Sequence, residues 1–273
     1  MNALFARSAI EAPAEEFLRA TDDVFAVFDE RTRDSGNRSY GVALAGQRYF
    51  VKTAGNRDAR ATLDHSERVA LLRNAVDLAH SCEHACMPPL HAVIEASDGP
   101  LLVYEWRDGE LLGAPTPRRA DPTSAFQRFR SLPPAEIERS LGVVFDLHRK
   151  LADAGWIASD FYDGSLLYDF TTASPHVIDL DHYQRGPFPN RMGRMFGSTR
   201  FMAPEEHVLG ELIDERSTVY TLGRTAMVFL GDVNGQSFGG IPARLEVVRR
   251  ATHQHRRHRF ESVAAFVDAW ELG

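Results

Sequence analysis

The sequence predicts an α+β fold in two parts: a small β-rich part over residues 1–107 and a larger, mostly α-helical part over residues 108–273. Up to Trp106, short runs rich in β-branched and aromatic residues alternate with turn signals, and few helical stretches interrupt them. After Asp108-Gly109 the character changes, and a Pro- and Arg-rich loop from Gly113 to Asp121 leads into long segments of helical periodicity. Composition sets the broad class. With 44% hydrophobic and 25% charged residues in 273, the chain has ample material for a core. Those values exclude a disordered chain, a collagen-like repeat and a disulfide scaffold.

Residues 3–20 read as an amphipathic helix. Strands are expected at Val24 to Asp29, Tyr40 to Leu44 and Arg48 to Thr53, with Ala45-Gly46 as the tight turn between the last two. In the third run the period of two puts Arg48, Phe50 and Lys52 on one face and Tyr49, Val51 and Thr53 on the other. A helix from about Leu63 to Ala79 starts at an Asp64 or Thr62 cap. Strands at Ala92 to Ala96 and Leu101 to Trp106 flank the turn Ser97-Asp98-Gly99-Pro100. In the second part the longest helix begins at Pro134, a good first helical position, and runs to Ala154, just before Gly155. Short strands follow around Ile157, Leu166 to Tyr168 and His176 to Ile178, and the chain from Glu206 to Leu272 is mostly helical.

The formal charge of −7 argues against a nucleic-acid partner, which calls for a broad basic surface. No apolar run reaches the roughly 18 residues that span a bilayer; Val219 to Leu230 is too short and is broken by Arg224. Glu11, Glu15 and Glu16 are too early for a signal peptide, so no membrane partner and a cytoplasmic location are expected. Both cysteines lie in His80-Ser-Cys82-Glu-His84-Ala-Cys86. The spacing invites zinc, yet residues two apart on a helix face different ways. Two reduced thiols at a helix end before Pro88-Pro89 is the simpler expectation. His253, His255 and His258, interleaved with arginines, read as an exposed basic loop.

Of 31 basic residues only Lys52 and Lys150 are lysine. A surviving lysine marks a spot where a point charge is needed and a planar guanidinium does not substitute. Lys150 is explained as a helix-end charge. Lys52 stands in a strand, and Glu67 follows fifteen residues later on the next helix, where it is expected to partner a buried ammonium. Asp160 lies between a helix and a short strand, and Asp179 with Asp181 ends an apolar strand. Carboxylates at strand ends suit Mg²⁺, which takes one or two of them plus phosphate oxygens.

In this order and with this β-then-α layout, the features resemble the protein kinase superfamily, in the form of a bacterial serine/threonine protein kinase with degenerate glycine-rich and catalytic loops. The most specific piece is Gly197-Ser-Thr-Arg-Phe-Met-Ala-Pro-Glu205, similar to the substrate loop and Ala-Pro-Glu close of protein kinases. Val219 to Gly223 resembles the buried helix that follows, and Arg259-Phe260 the last arginine segment. The resemblance implies a bilobal fold with residues 1–107 as the N-terminal lobe and 108–273 as the C-terminal lobe. It implies ATP and Mg²⁺ or Mn²⁺ as cofactors and a protein or peptide serine or threonine as acceptor. Lys52 would hold the α- and β-phosphates, set by Glu67. Asp160 would be the base, and Asp179 would bind metal. Tyr104 to Arg107 would form a hinge whose backbone at Glu105 and Trp106 meets adenine. Ser198 would sit near the acceptor, and Arg259 would pair with Glu205.

The departures are as informative. Asp34-Ser-Gly36-Asn-Arg-Ser-Tyr-Gly41 stands where a G-x-G-x-x-G loop is expected, so Gly36 is left to approach phosphate. Ala158-Ser159-Asp160 lacks the arginine that clamps a phosphorylated activation loop, which predicts no such switch. Ser165 replaces the magnesium-binding asparagine, Tyr162 the catalytic-loop lysine, Asp181 a glycine, and Phe50 the alanine that roofs adenine. These losses leave two alternatives: a pseudokinase acting as a binding or scaffold module, and a phosphotransferase for a small-molecule hydroxyl. Phe50 and the Asp160 to Ser165 loop favour the small-molecule alternative; Ala203-Pro204-Glu205 opposes it.

Overall fold

Ala45 and Gly46 both take positive φ, 51° and 81°. That is the two-residue turn whose twist matches its flanking strands, and it fixes the register of the first sheet. The computed structural model describes residues 7–21, 23–28, 36–56, 62–113, 115–231 and 237–273. Contacts divide it into one unit of Met1–Glu83 with Pro88–Arg107 and a second of His84–Met87 with Asp108–Gly273. The fold is α+β.

In the first unit, α1 (Ala14–Arg19) precedes β1 (Val24–Phe28), β2 (Arg38–Leu44) and β3 (Gln47–Thr53). Then come α2 (His65–Ser81), β4 (Leu90–Ala96) and β5 (Gly99–Glu105). The five strands form one antiparallel sheet in the order β1-β2-β3-β5-β4. Tyr40, Val42, Tyr49, Val51, Ile94, Leu101 and Val103 bury one face together with Ala14 and Leu18 of α1. On the other face Leu102 packs with Leu72 and Ala75 of α2.

The helix expected over residues 3–20 is corrected to six residues. Pro13 starts it without a side-chain cap, and the chain before it lies along the edge of β4. Ile10 N–H donates to Glu95 O at 2.8 Å, and Glu95 N–H donates to Ser8 O at 2.9 Å. Residues 3–6, Asp29, Asp34 and Ser35 lie outside the described residues.

The second unit opens with β6 (Glu110–Leu111), α3 (Ala125–Arg130) and α4 (Pro134–Asp153). Next are β7 (Trp156–Ile157), β8 (Leu166–Asp169), β9 (Ser174–Val177), β10 (Gln184–Arg185), β11 (Phe188–Pro189) and β12 (Leu212–Ile213). It closes with α5 (Glu215–Leu230), α6 (Pro242–Ala251) and α7 (Val263–Leu272). Ile137, Leu141, Val144, Phe145 and Leu151 make the buried stripe of α4, and Phe145 meets the rings of Phe266 and Trp270 edge-on at 5.1 Å. α5 is buried nearly all round. A Cβ at Gly223 would stand 2.8 Å from Ala251 Cβ, so the glycine is what lets α5 approach α6 this closely. Among the described residues no helix is long and apolar enough to cross a membrane.

Where the sequence predicts a single boundary at 107, residues 84–87 also belong to the second unit. Val177 N–H donates to Cys86 O at 2.7 Å, and His84 Nε2 lies 3.1 Å from Asp146 on α4, which ties the excursion down.

Candidate active site

Lys52 is 3% exposed, in register with Ser39 of β2 and Leu102 of β5. The partnership expected with Glu67 does not form. Asp64 Oδ1 accepts from Glu67 N–H at 2.9 Å and Glu67 Oε2 accepts from Asp64 N–H at 2.8 Å, a reciprocal capping box at the start of α2. A carboxylate at the third position of a helix is drawn to its own unpaired amides and to the positive end of the dipole, which leaves Glu67 exposed at the helix end.

The side chain of α2 that turns inward is the next one. Arg68 is fully buried and donates to Gly36 O and Asn56 O, each at 2.7 Å. Burial lowers its pKa, against the pull of Asp64. Gly36 and Gly55 take φ of 79° and 68°, and a Cβ on Gly55 would stand 2.5 Å from Gly36 O. Arg68 therefore fixes two backbone segments in close contact, one of them ending the loop before β2. Nothing in the sequence distinguishes it from the other arginines.

Phe50 does not face an open roof. Its ring lies 5.9 Å from Phe28 and 6.5 Å from Trp106. Trp106 also takes the edge of Phe25 at 4.9 Å and the Arg48 guanidinium at 5.8 Å. A Cβ at Gly41 would meet the Phe25 ring at 2.7 Å and Trp106 at 3.0 Å, so these rings press on the backbone of β2. The amides expected for a base are engaged as well. Glu105 N–H donates to Pro89 O at 2.9 Å and Trp106 N–H to Arg48 O at 3.2 Å. The Glu105 carboxylate pairs with Arg107 at 3.0 Å.

Besides Ala45 of the first unit, three non-glycine residues among those described have positive φ, all in the second unit: Asp160 (61°), Ala173 (53°) and Asp179 (65°). Ala45 and Ala173 are hairpin turns; Asp160 and Asp179 are not. The β8–β9 hairpin sets Leu166 opposite Val177. One residue beyond, Ile178 N–H donates to Ser165 O at 2.9 Å, and the Ser165 hydroxyl reaches Asp160 O at 3.5 Å. Ser165 thus brings the two aspartate loops together from a buried position. His182 Nε2 stands 3.9 Å from Asp160 Oδ2, its ring against Phe196.

Three further groups hold these loops. Thr218 of α5 accepts from Ala158 N–H at 3.1 Å, both buried. His148 of α4 packs on Phe161 at 4.5 Å. A carbonyl only accepts, so Nδ1, 2.7 Å from Val144 O, carries the proton and Nε2 accepts from Tyr183 O–H at 2.8 Å. Burial pushes the His148 pKa down to about 4, so the ring is neutral near pH 7. Buried Asp163 pairs with Arg200, yet burial outweighs that cation and raises its pKa.

Segment 197–206 is pinned from below. Arg259 and Glu205 form a buried bidentate pair at 2.6 and 2.9 Å, and Ser217 Oγ donates to Glu205 Oε1 at 2.7 Å. Burial opposes ionisation of Glu205, but Arg259 prevails and lowers its pKa. Neighbouring Glu206 accepts from Ala203 N–H at 2.6 Å. Burial raises its pKa to about 8, and the Glu205 charge adds to that effect. Ser198 is half-buried, and its carbonyl accepts from Phe201 N–H at 2.9 Å.

Among the described residues no group of three or more His, Cys, Asp or Glu is arranged to hold a metal ion. The donor set on offer at Asp179 and Ser165 is hard oxygen with one carboxylate, which fits Mg²⁺ only in company with substrate phosphates. The chain matches no model of a known protein family and no curated protein.

Proposed function

We propose that this chain is an ATP-dependent phosphotransferase of protein kinase type, with the bilobal fold of that superfamily, that moves the γ-phosphoryl group of ATP to a serine or threonine hydroxyl of a protein or peptide. The observation that carries this reading is the backbone at Asp160 and Asp179. Residues held in sparsely populated φ/ψ regions store about 1–3 kcal/mol each and gather at functional sites. Here both are carboxylates, both lie outside hairpin turns, and Ser165 ties their loops together. In this reading Asp160 orients the acceptor hydroxyl and takes its proton. Asp179, with Ser165 beside it, is the ligand for Mg²⁺ or Mn²⁺, an ion that neutralises phosphate charge when bound. Lys52 is the ammonium for the α- and β-phosphates, and Gly36 the close-approach glycine next to them. The decisive test is transfer of labelled γ-phosphate from ATP to a mixed protein acceptor. The Asp160→Asn variant is expected to lose transfer and to keep nucleotide binding; full activity in that variant removes Asp160 from the mechanism.

A second reading, a binding module without transfer activity, is favoured by the first unit. Glu67 caps its own helix, the Glu105 and Trp106 amides have backbone partners, and Phe50 is covered by Phe28 and Trp106. Melting with and without ATP and Mg²⁺ separates the readings. A ligand at 100 times its Kd adds about 2.7 kcal/mol of stability, and no shift at any nucleotide concentration supports the second.

A further inference from the structure

The phosphotransferase reading makes no use of the segment that holds both cysteines. Cys86 N–H donates to His84 Nδ1 at 3.2 Å. A backbone amide only donates, so Nδ1 presents a lone pair and the proton of the neutral ring sits on Nε2. Nε2 lies 3.1 Å from Asp146 Oδ2, the distance of an N–H donating to a carboxylate. Cys86 Sγ lies 3.1 Å from the same Nδ1. Thiol, imidazole and carboxylate thus stand in a hydrogen-bonded row, with the tautomer fixed by contacts at both ring nitrogens. A base beside a thiol, itself oriented by a third group, is the arrangement that activates a cysteine nucleophile.

We propose that Cys86 is an activated thiol and a site of oxidation by small hydroperoxides. His84 Nδ1 takes the thiol proton, and the Asp146 carboxylate stabilises the imidazolium through Nε2–H. The thiolate sulfur attacks the nearer peroxide oxygen; an S–O bond forms and the O–O bond breaks. The proton on Nδ1 passes to the departing oxygen. Thiol and hydrogen peroxide become sulfenic acid and water, the sulfur losing two electrons and the peroxide gaining them. Cys86 is 2% exposed, while Asp146, whose side chain is 40% exposed, keeps the far end of the row in contact with solvent. The modification is placed to be felt elsewhere in its unit, because Cys86 O accepts from Val177 N–H, two residues before Asp179.

The experiment needs no kinase activity. The folded chain is pulsed with dilute hydrogen peroxide and quenched in denaturant with a maleimide, and each cysteine is read by peptide mass. Cys82, also buried, is the internal comparison. Cys86 is expected to oxidise at least about tenfold faster than Cys82, and Asp146→Asn and His84→Gln to remove most of that advantage. Equal rates at the two cysteines, or an unchanged Cys86 rate in Asp146→Asn, overturn the proposal. Asp146 is half exposed, so its variant keeps the test decisive even if His84→Gln fails to fold.

Discussion

Glu67 and Arg68 are neighbours with opposite fates, and the difference is one of backbone position. Glu67 occupies the third position of α2 and closes a capping box; Arg68, one residue on, points into the unit and holds Gly36 and Asn56. Glu67→Ala is therefore expected to lower the melting temperature slightly and to leave any phosphoryl transfer unchanged, whereas a true phosphate-positioning glutamate would lose transfer. Arg68→Met leaves two carbonyls without their donors and is expected to destabilise by about 2–5 kcal/mol, read by denaturant titration. These two residues also mark how far single positions were legible. Asp160 and Asp179 stand out in sequence as carboxylates flanking short apolar strands, and Glu205 and Arg259 only through the motifs that carry the resemblance; the structure gives each a buried or strained setting. Arg68 was invisible, one arginine among 29. Glu67 was misread because sequence spacing carries no information on which turn of a helix meets the sheet.

At the scale of elements, the loop of Asp160 is held by contacts that cross from helix to loop. Thr218 reaches Ala158 from α5, and Arg200 joins segment 197–206 to Asp163. Thr218→Val preserves shape but leaves the buried Ala158 amide unpaired, at a cost of about 1–3 kcal/mol. In the phosphotransferase reading it is expected to lower kcat more than it raises KM for ATP, measured by steady-state kinetics. The strands and the long α4 were legible because each is governed by local periodicity and turn chemistry. The N-terminal helix was not, because residues 8–10 obey the edge of β4, about 85 positions further on, which no sequence window contains.

For the molecule as a whole, two buried groups of the second unit set opposing dependences on pH. His148 titrates near 4 when folded and near 6.5 when unfolded. Between those values the unfolded chain binds the extra proton, so stability rises with pH, by about 3 kcal/mol in all. Glu206 titrates near 8 when folded and near 4.5 when unfolded. There the folded chain holds the extra proton, and stability falls as pH rises, by roughly 5 kcal/mol across the window. The two slopes cancel between about pH 4.5 and 6.5, and above 6.5 only the falling limb remains. Glu206→Gln keeps a neutral acceptor for Ala203 N–H and removes the group that titrates. The variant is expected to match the parent near pH 4.5, to gain on it steadily up to about pH 8, and to move the stability optimum above 6.5. Melting temperatures of both chains across pH 4 to 9 decide the matter, because a Glu206 that ionises normally would give two parallel curves.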